Sequence, residues 1–360
     1  MKMARRNRNV PLREMKSNNL VIVCEGTTTE YNYFQELADY SLANGLSPFS
    51  CIKILPAMDE EIEIKNEKRI KRNFLGGNAK ELRYYTKKEQ TDELYNKYCG
   101  QPTRYLREAQ LYLLENDYSE GWAVYDKDHH ADHEGAMELL DSTSNLYVAF
   151  SSYSFEEWLL VHFERNPFAY NHSDCCNPKN KHSNSPCSGE NCIAGRLRSK
   201  NYITDFSKTN KGYFRKHTLR DDGSLNPLPL INAVWTRNIH ADSNRFFCNP
   251  YTDVDVLVMK LLNCQWGNWN EPISVAGTIL VLCREGNVVT VKNIGNISYV
   301  LTKANWQFCN INGLEEHSAV LSSCLLENNE QSFSFSIMPE SSLLMVKDSG
   351  RCIYYSIETF

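Results

Sequence analysis

Three short runs constrain this chain more than anything else in it: NLVIVC at 19–24, GWAVYD at 121–126 and NLYVAF at 145–150. Each is almost continuously apolar and rich in β-branched or aromatic residues, the pattern of a strand buried on both faces. Each is followed by a stretch of helical spacing. Residues 30–44 follow the first, about 133–141 follow the second, and SFEEWLLVHFER at 154–165 follows the third, with Ser154 placed as its N-cap. A further strand is predicted in SCIKILPA at 50–57, and a helix over 104–116 through Leu106, Ala109, Leu113 and Leu114. Strands and helices alternating at these lengths predict an α/β unit, a mainly parallel sheet with helices on both faces.

The remainder of the chain divides by composition. Residues 166–248 are polar and rich in Asn, Ser, Cys and Lys, and read as a long irregular insertion with some helix. At 252–262 Thr252 and Asp255 resemble a capping box, and Val254, Leu257, Val258, Leu261 and Leu262 fall at helical spacing. NCQWGNWNEP at 263–272 reads as a linker. After it come GTILVLC, VVTVKNIG, SFSFSI and SLLMVK, short alternating runs broken by Gly, Asn and Pro-Glu, which predict a small all-β sandwich over 272–360. The expected organisation is a basic arm at 1–18, an α/β domain at 19–265 and the β-sandwich. With 360 residues, 42% of them hydrophobic, the chain can bury cores of that number and size.

Charge and cysteine content narrow the function classes. The net charge of −5 conceals two basic segments. Residues 1–18 carry six Lys/Arg against one acid, and 196–220 carry Arg196, Arg198, Lys200, Lys208, Lys211, Arg215, Lys216 and Arg220 against Asp205 alone. Tyr202, Phe206, Tyr213 and Phe214 lie between those cations. Cations neutralise phosphates and rings stack on unpaired bases, so the segment suits nucleic acid, although a solvated surface loop has the same composition. Thirteen scattered cysteines suit reduced thiols better than a disulfide framework. Cys175, Cys176, Cys187 and Cys192, with His172 and His182, supply ligands of the right type for a structural zinc, without any CxxC spacing. No run of 18 or more apolar residues and no secretory h-region is present, so a cytoplasmic protein with no membrane contact is expected.

Two acidic clusters carry the chemistry. CEGTTTE at 24–30 holds Glu25 at a strand end and Glu30 one turn into the following helix; YDKDHH at 125–130 holds Asp126 and Asp128. Alone, a Glu-Gly turn is unremarkable and Asp-x-Asp after a strand commonly caps a helix. Both clusters, however, lie just past buried strands, and in an open α/β sheet the ligand crevice is at the carboxyl ends of the strands. Converging carboxylates repel unless a cation neutralises them. Magnesium takes oxygen ligands, keeps several waters and bridges to phosphates, and manganese can substitute. Such an ion activates water and stabilises charge on phosphorus while a nearby acid handles protons, which is nuclease chemistry.

A strand ending in Glu-Gly followed by a strand ending in Asp-x-Asp resembles the Toprim domain of topoisomerases, primases and OLD-type nucleases. Within that superfamily the chain is more similar to the RloB-like proteins, on VCEGTTTEYNYF at 23–34, WAVYDKDHH at 122–130, SYSFEEWLLVHFE at 152–164, and INAVWTRN with CNPYTDVDVLVMKLL within 231–262. The likeness covers about residues 15–265. It implies a Toprim-type nuclease of prokaryotic antiviral or abortive-infection loci, with RNA, including tRNA, preferred over DNA. Carried over by position, it makes Glu25 the proton-handling residue or metal ligand and Asp126 and Asp128 the metal pair. Glu30 supports the same metal, Lys127 is placed to meet phosphate, and Glu156 adds a carboxylate or a substrate contact. Glu156 ranks below the first three, since Phe155, Trp158 and Leu159 make the same helix a buried face. His129, His130 and His133 read as surface or capping residues. A non-catalytic nucleic-acid or partner-binding subunit of a defence complex is the alternative, and a partner protein or a homo-oligomer is compatible with either.

Overall fold

The computed structural model describes residues 18–55, 102–115, 118–127, 133–170, 192–221, 223–302, 305–310, 315–316, 324–326, 332–337, 341–348 and 351–357. The arm at 1–17, the charged stretch at 65–73, Asp128, His129, His130, Cys175, Cys176 and Cys187 lie outside them.

The first unit is built as its apolar runs require. Strand β1 (Asn19–Cys24) leads through a glycine-containing turn to helix α1 (Thr29–Ala43), and β2 (Cys51–Leu55) follows. Helix α2 (Thr103–Glu115), strand β3 (Glu120–Asp126), helix α3 (Glu134–Ser142) and strand β4 (Leu146–Ser152) continue the alternation. The sheet order is β2-β1-β3-β4, all parallel, closed at one edge by the two-residue antiparallel strand β5 (Tyr251–Thr252). Leu20, Val21, Ile22, Val23 and Cys24 are fully buried because the sheet is covered on both faces. Leu20, Ile22 and Trp122 face one core with α1, while Val21, Val23 and Tyr125 face a second with α2. The chain leaves β1 for β2 on one side and later for β3 on the other, so a crevice opens at the carboxyl ends of β1 and β3.

Three sequence expectations need correction here. The helix expected over 154–165 is one short helix, α4 (Glu156–Leu160), continued by turns. Ser154 does not cap it by its side chain: Glu157 N–H bonds the Ser154 carbonyl, and the Ser154 hydroxyl is buried without a hydrogen-bond partner. The polar stretch 166–248, expected to be irregular with some helix, is in its described part built into the core. It contains α5 (Ile193–Ser199) and α6 (Pro227–Asn238), and Leu197, Ile203, Phe206, Phe214, Leu230 and Ile231 join the main core beside α1 and α4. Each such side chain withdrawn from water stabilises by about 1.5–3 kcal/mol, enough to hold intervening polar residues in place. Helix α7 (Val254–Leu261) begins without the expected capping box, because Asp255 is drawn into an ion pair with Arg237 instead.

Beyond α7 every described element is a β-strand. Strands β6 (Cys264–Trp266), β7 (Pro272–Val275), β8 (Thr278–Glu285), β9 (Val288–Asn293), β10 (Tyr299–Leu301) and β11 (Trp306–Asn310) are followed by β12 (Glu315–Glu316), β13 (Cys324–Leu326), β14 (Ser332–Ser336), β15 (Ser341–Asp348) and β16 (Arg351–Ser356). A sheet ordered β14-β9-β8-β7 faces one ordered β12-β11-β15-β16-β6, and Leu280, Leu282, Val289, Val291, Phe335, Trp306, Phe308, Val346 and Tyr355 form the core between them. The stretch expected as a linker opens with β6, paired in parallel with β16. The outer face of that five-stranded sheet is also covered: Cys309, Leu343, Met345 and Tyr354 belong to the same core as α1 and α7. The β layers are therefore packed onto the α/β unit through a continuous apolar contact.

Candidate functional site

The carboxyl ends of β1, β3 and β4 and the start of α4 bring four acids together. Glu25, half-buried, accepts the Asp126 N–H on its Oε2 at 2.9 Å, and its own N–H bonds the Val124 carbonyl at 2.8 Å. The two strand ends named from the sequence are thus hydrogen-bonded to each other. Asp126 is 6% exposed, Glu30 8% and Glu156 2%. Gly26 permits the approach, since a Cβ there would overlap the Glu30 carboxylate. Glu30 and Glu156 share each other's field, and both act on Asp126.

Burial and mutual repulsion govern their protonation. Desolvation raises Glu30 to about 7, opposed by its backbone hydrogen bond and helped by the neighbouring Glu156 charge. Asp126 is pushed well above the carboxylate range, first by burial and then by Glu30, Glu25 and Glu156, with Lys208 acting the other way. Asp126 Oδ1 and Glu156 Oε2 are buried and have no hydrogen-bond partner. Acceptors left in this condition cost about 1–3 kcal/mol each, more when charged, unless a cation or proton meets them.

An ion pair to this cluster comes from a residue the sequence placed elsewhere. Lys208 Nζ stands 3.4 Å from Glu156 Oε1, with the lysine side chain half-exposed. Thr29 Oγ1 donates to the Lys208 carbonyl at 2.9 Å, fixing this loop against the first turn of α1. From sequence, Lys208 was one cation in a basic run. No local pattern distinguishes it, because its role depends on a contact to α4 more than fifty residues away.

The rest of that run is placed differently. Arg196 is buried and paired with Glu164, and Arg198 donates through Nε and Nη2 to the Phe206 carbonyl. Arg215 lies over the Tyr40 ring at 5.8 Å. Lys200, Lys211 and Lys216 are exposed. Phe206, Tyr213 and Phe214 are buried core residues and Tyr202 stacks on Phe163, so these rings are engaged within the protein rather than presented for stacking on bases. Lys127 points its Nζ to the Cys248 carbonyl at 3.4 Å, and burial lowers its basicity. His133 is no surface residue: it is buried, stacked between Tyr125 and Phe246, and it stands at the N-cap position of α3, capping through its backbone carbonyl rather than its side chain.

Cys192 is the described member of the suggested zinc set. Its Sγ accepts the Gly195 N–H at 3.2 Å as the N-cap of α5. Among the described residues no group of three or more His, Cys, Asp or Glu is arranged to hold a metal ion, and Cys192 is not disulfide-bonded. Asp128, which the sequence adds to the acid set, lies outside the described residues. No helix among the described residues is long and apolar enough to cross a membrane.

Two further carboxylates are buried nearby under opposite conditions. Asp255, fully buried, meets the guanidinium of Arg237 through both oxygens, one at 2.8 Å, and Arg237 also donates to the Thr252 carbonyl. Asp253 accepts the Phe150 N–H at 2.6 Å and pairs with Arg245 at 3.0 Å. These acids of the YTDVD segment, with Arg237 of TRN, fasten β5, α6 and α7 to β4.

A family model described as RloB-like protein matches residues 20–261, which spans the α/β unit from β1 to the last residue of α7. No curated protein and no solved structure matches the chain.

Proposed function

The chain belongs to the RloB-like protein family, and on that footing we propose that it is a metal-dependent endonuclease of a prokaryotic antiviral or abortive-infection system. The substrate is nucleic acid, with RNA, including tRNA, preferred over DNA, and the protein acts in the cytoplasm. The observation that carries this reading is the crowding of buried acids at the strand ends: Asp126 Oδ1 and Glu156 Oε2 are buried without hydrogen-bond partners, in a cluster that the sequence marked by its order along the chain.

The donor set fits a hard divalent cation, since every group is a carboxylate oxygen. Glu25, Asp126 and Asp128 would hold magnesium, or manganese in its place, with Glu30 and Glu156 supporting. Such an ion supplies Lewis acidity toward a phosphodiester and lowers the pKa of bound water. The chain's own groups do the rest. Glu30, held near neutrality by burial, is suited to take or give a proton at pH 7. Lys208, half-exposed at the rim, offers an ammonium to a phosphate oxygen while its backbone is held by Thr29. The exposed Lys200, Lys211 and Lys216 would meet the phosphate backbone of a longer substrate.

A non-catalytic binding subunit is favoured by one observation: Lys208 already meets Glu156, and no three described acids stand ready to hold an ion. Cleavage of total RNA with tRNA resolved, and of plasmid DNA, by wild type, Glu25→Ala and Asp126→Ala, each with magnesium, manganese or EDTA, separates the two. Cutting by wild type alone that disappears with EDTA supports the nuclease and names its substrate. Binding unaffected by EDTA and by Asp126→Ala, with no cutting, supports the binding subunit.

A further inference from the structure

A cavity of about 130 Å3 lies where the α/β unit meets the β layers, walled by Leu46 and Leu262 from the first and by Met345 and Tyr354 from the second. Two cysteines share its wall. Cys264 on β6 and Cys352 on β16 are register partners in a parallel ladder. Partners at one level of a ladder project from the same face, and strands spaced roughly 4.7–4.9 Å apart bring their Cα atoms within the 4.4–6.8 Å or so that a disulfide spans. Neither is disulfide-bonded, and both are of intermediate exposure. No other described cysteine faces a cysteine across a ladder: Cys24 is opposite Val124, Cys51 opposite Asn19, Cys283 opposite Thr290, Cys309 opposite Leu343 and Cys324 opposite Leu301.

We propose that Cys264 and Cys352 form a dithiol modification site, which a hydroperoxide oxidises to an intramolecular disulfide. The two sulfurs divide the work. Hydrogen bonding to Cys352, then burial, holds Cys264 as a protonated thiol, and we assign the first attack to its register partner Cys352. The Cys352 thiolate attacks the peroxide: an S–O bond forms, the O–O bond breaks, and the departing oxygen takes a proton to leave as water or alcohol. Cys264 then attacks the sulfenic sulfur. The S–S bond forms, the S–O bond breaks, and hydroxide leaves as water with the Cys264 proton. Two electrons have passed from the two sulfurs to the peroxide. The bridge closes residues 265–351 into a covalent loop and fixes one wall of the cavity, and a thiol reductant reverses it.

The test uses the full chain, reduced and then treated with hydrogen peroxide, alkylated with N-ethylmaleimide and digested without reduction. A linked peptide pair containing Cys264 and Cys352, absent before oxidation and lost on adding dithiothreitol, is the expected result. Dimedone should label Cys352 in the Cys264→Ser protein. Maleimide on both cysteines after oxidation, or linkage of either to another cysteine, overturns the proposal. Because a serine variant can fail to fold, the peptide map of the wild type decides by itself.

Discussion

The two sets of buried carboxylates at the ends of this sheet are treated in opposite ways. Asp253 and Asp255 each meet an arginine, and Asp253 also takes a backbone N–H. Asp126, Glu30 and Glu156 are as well buried, yet the cation that reaches their cluster, at Glu156, is a half-exposed lysine. Structural acids are neutralised by the fold. Acids left crowded and short of cations raise the free energy of the folded state, a condition that a bound ion or a substrate interaction can relieve.

The sharpest way to break this comparison is to remove the cation from the compensated side. Arg237→Ala leaves Asp255 charged in the interior and should lower the stability by roughly 3–5 kcal/mol in denaturant titration. A loss below about 1 kcal/mol would mean that the pair is no stronger than a surface ion pair. Neutralising the uncompensated side should do the reverse. In EDTA, Glu30→Gln should stabilise the chain by on the order of 2 kcal/mol at pH 8.

That gain carries a pH signature. Glu30 is raised from 4.5 to about 7. Below 4.5 the group is protonated whether folded or not and contributes no difference. As pH rises toward 7 the unfolded chain ionises first, so the wild type is progressively penalised; above about 7 the penalty is constant. The difference between Glu30→Gln and wild type should therefore open between about pH 4.5 and 7 and stay level beyond. A gain that is independent of pH would assign the effect to packing rather than charge. Referring each point to the variant matters because Glu157, raised by burial to about 8, adds a penalty of the same sign to both proteins.

The smallest effect belongs to Lys208. Its pair with Glu156 is half in water, so Lys208→Ala should cost less than about 1 kcal/mol of stability, while reducing any cleavage by far more than that figure implies. A stability loss matching that of Arg237→Ala would place Lys208 with the structural cations and erase the contrast.

How much of this was legible in the sequence follows from the range of each interaction. The buried strands 19–24, 121–126 and 145–150 announce themselves by composition, and strand ends fix where Glu25 and Asp126 must lie. Residues 166–248 concealed their role because their core-forming residues are spaced among Asn, Ser and Lys. One signal was available: Asn226 before Pro227, then Leu228, Leu230 and Ile231, is an N-cap with proline at N1, and it does start α6. Asp255 was misread because a local cap and a distant arginine make the same residue type reasonable. Strand β6 was missed since three residues carry too little pattern to separate a strand from a linker.

Helix α1 places these observations on one axis. Glu30 stands in its first turn, while at its other end Tyr40 donates to the Gly223 carbonyl and Leu46, just past the helix, lines the cavity beside Cys264 and Cys352. Fifteen residues of α-helix span about 22 Å and resist compression. The acid site and the cavity thus stand near opposite ends of α1, about one helix length apart.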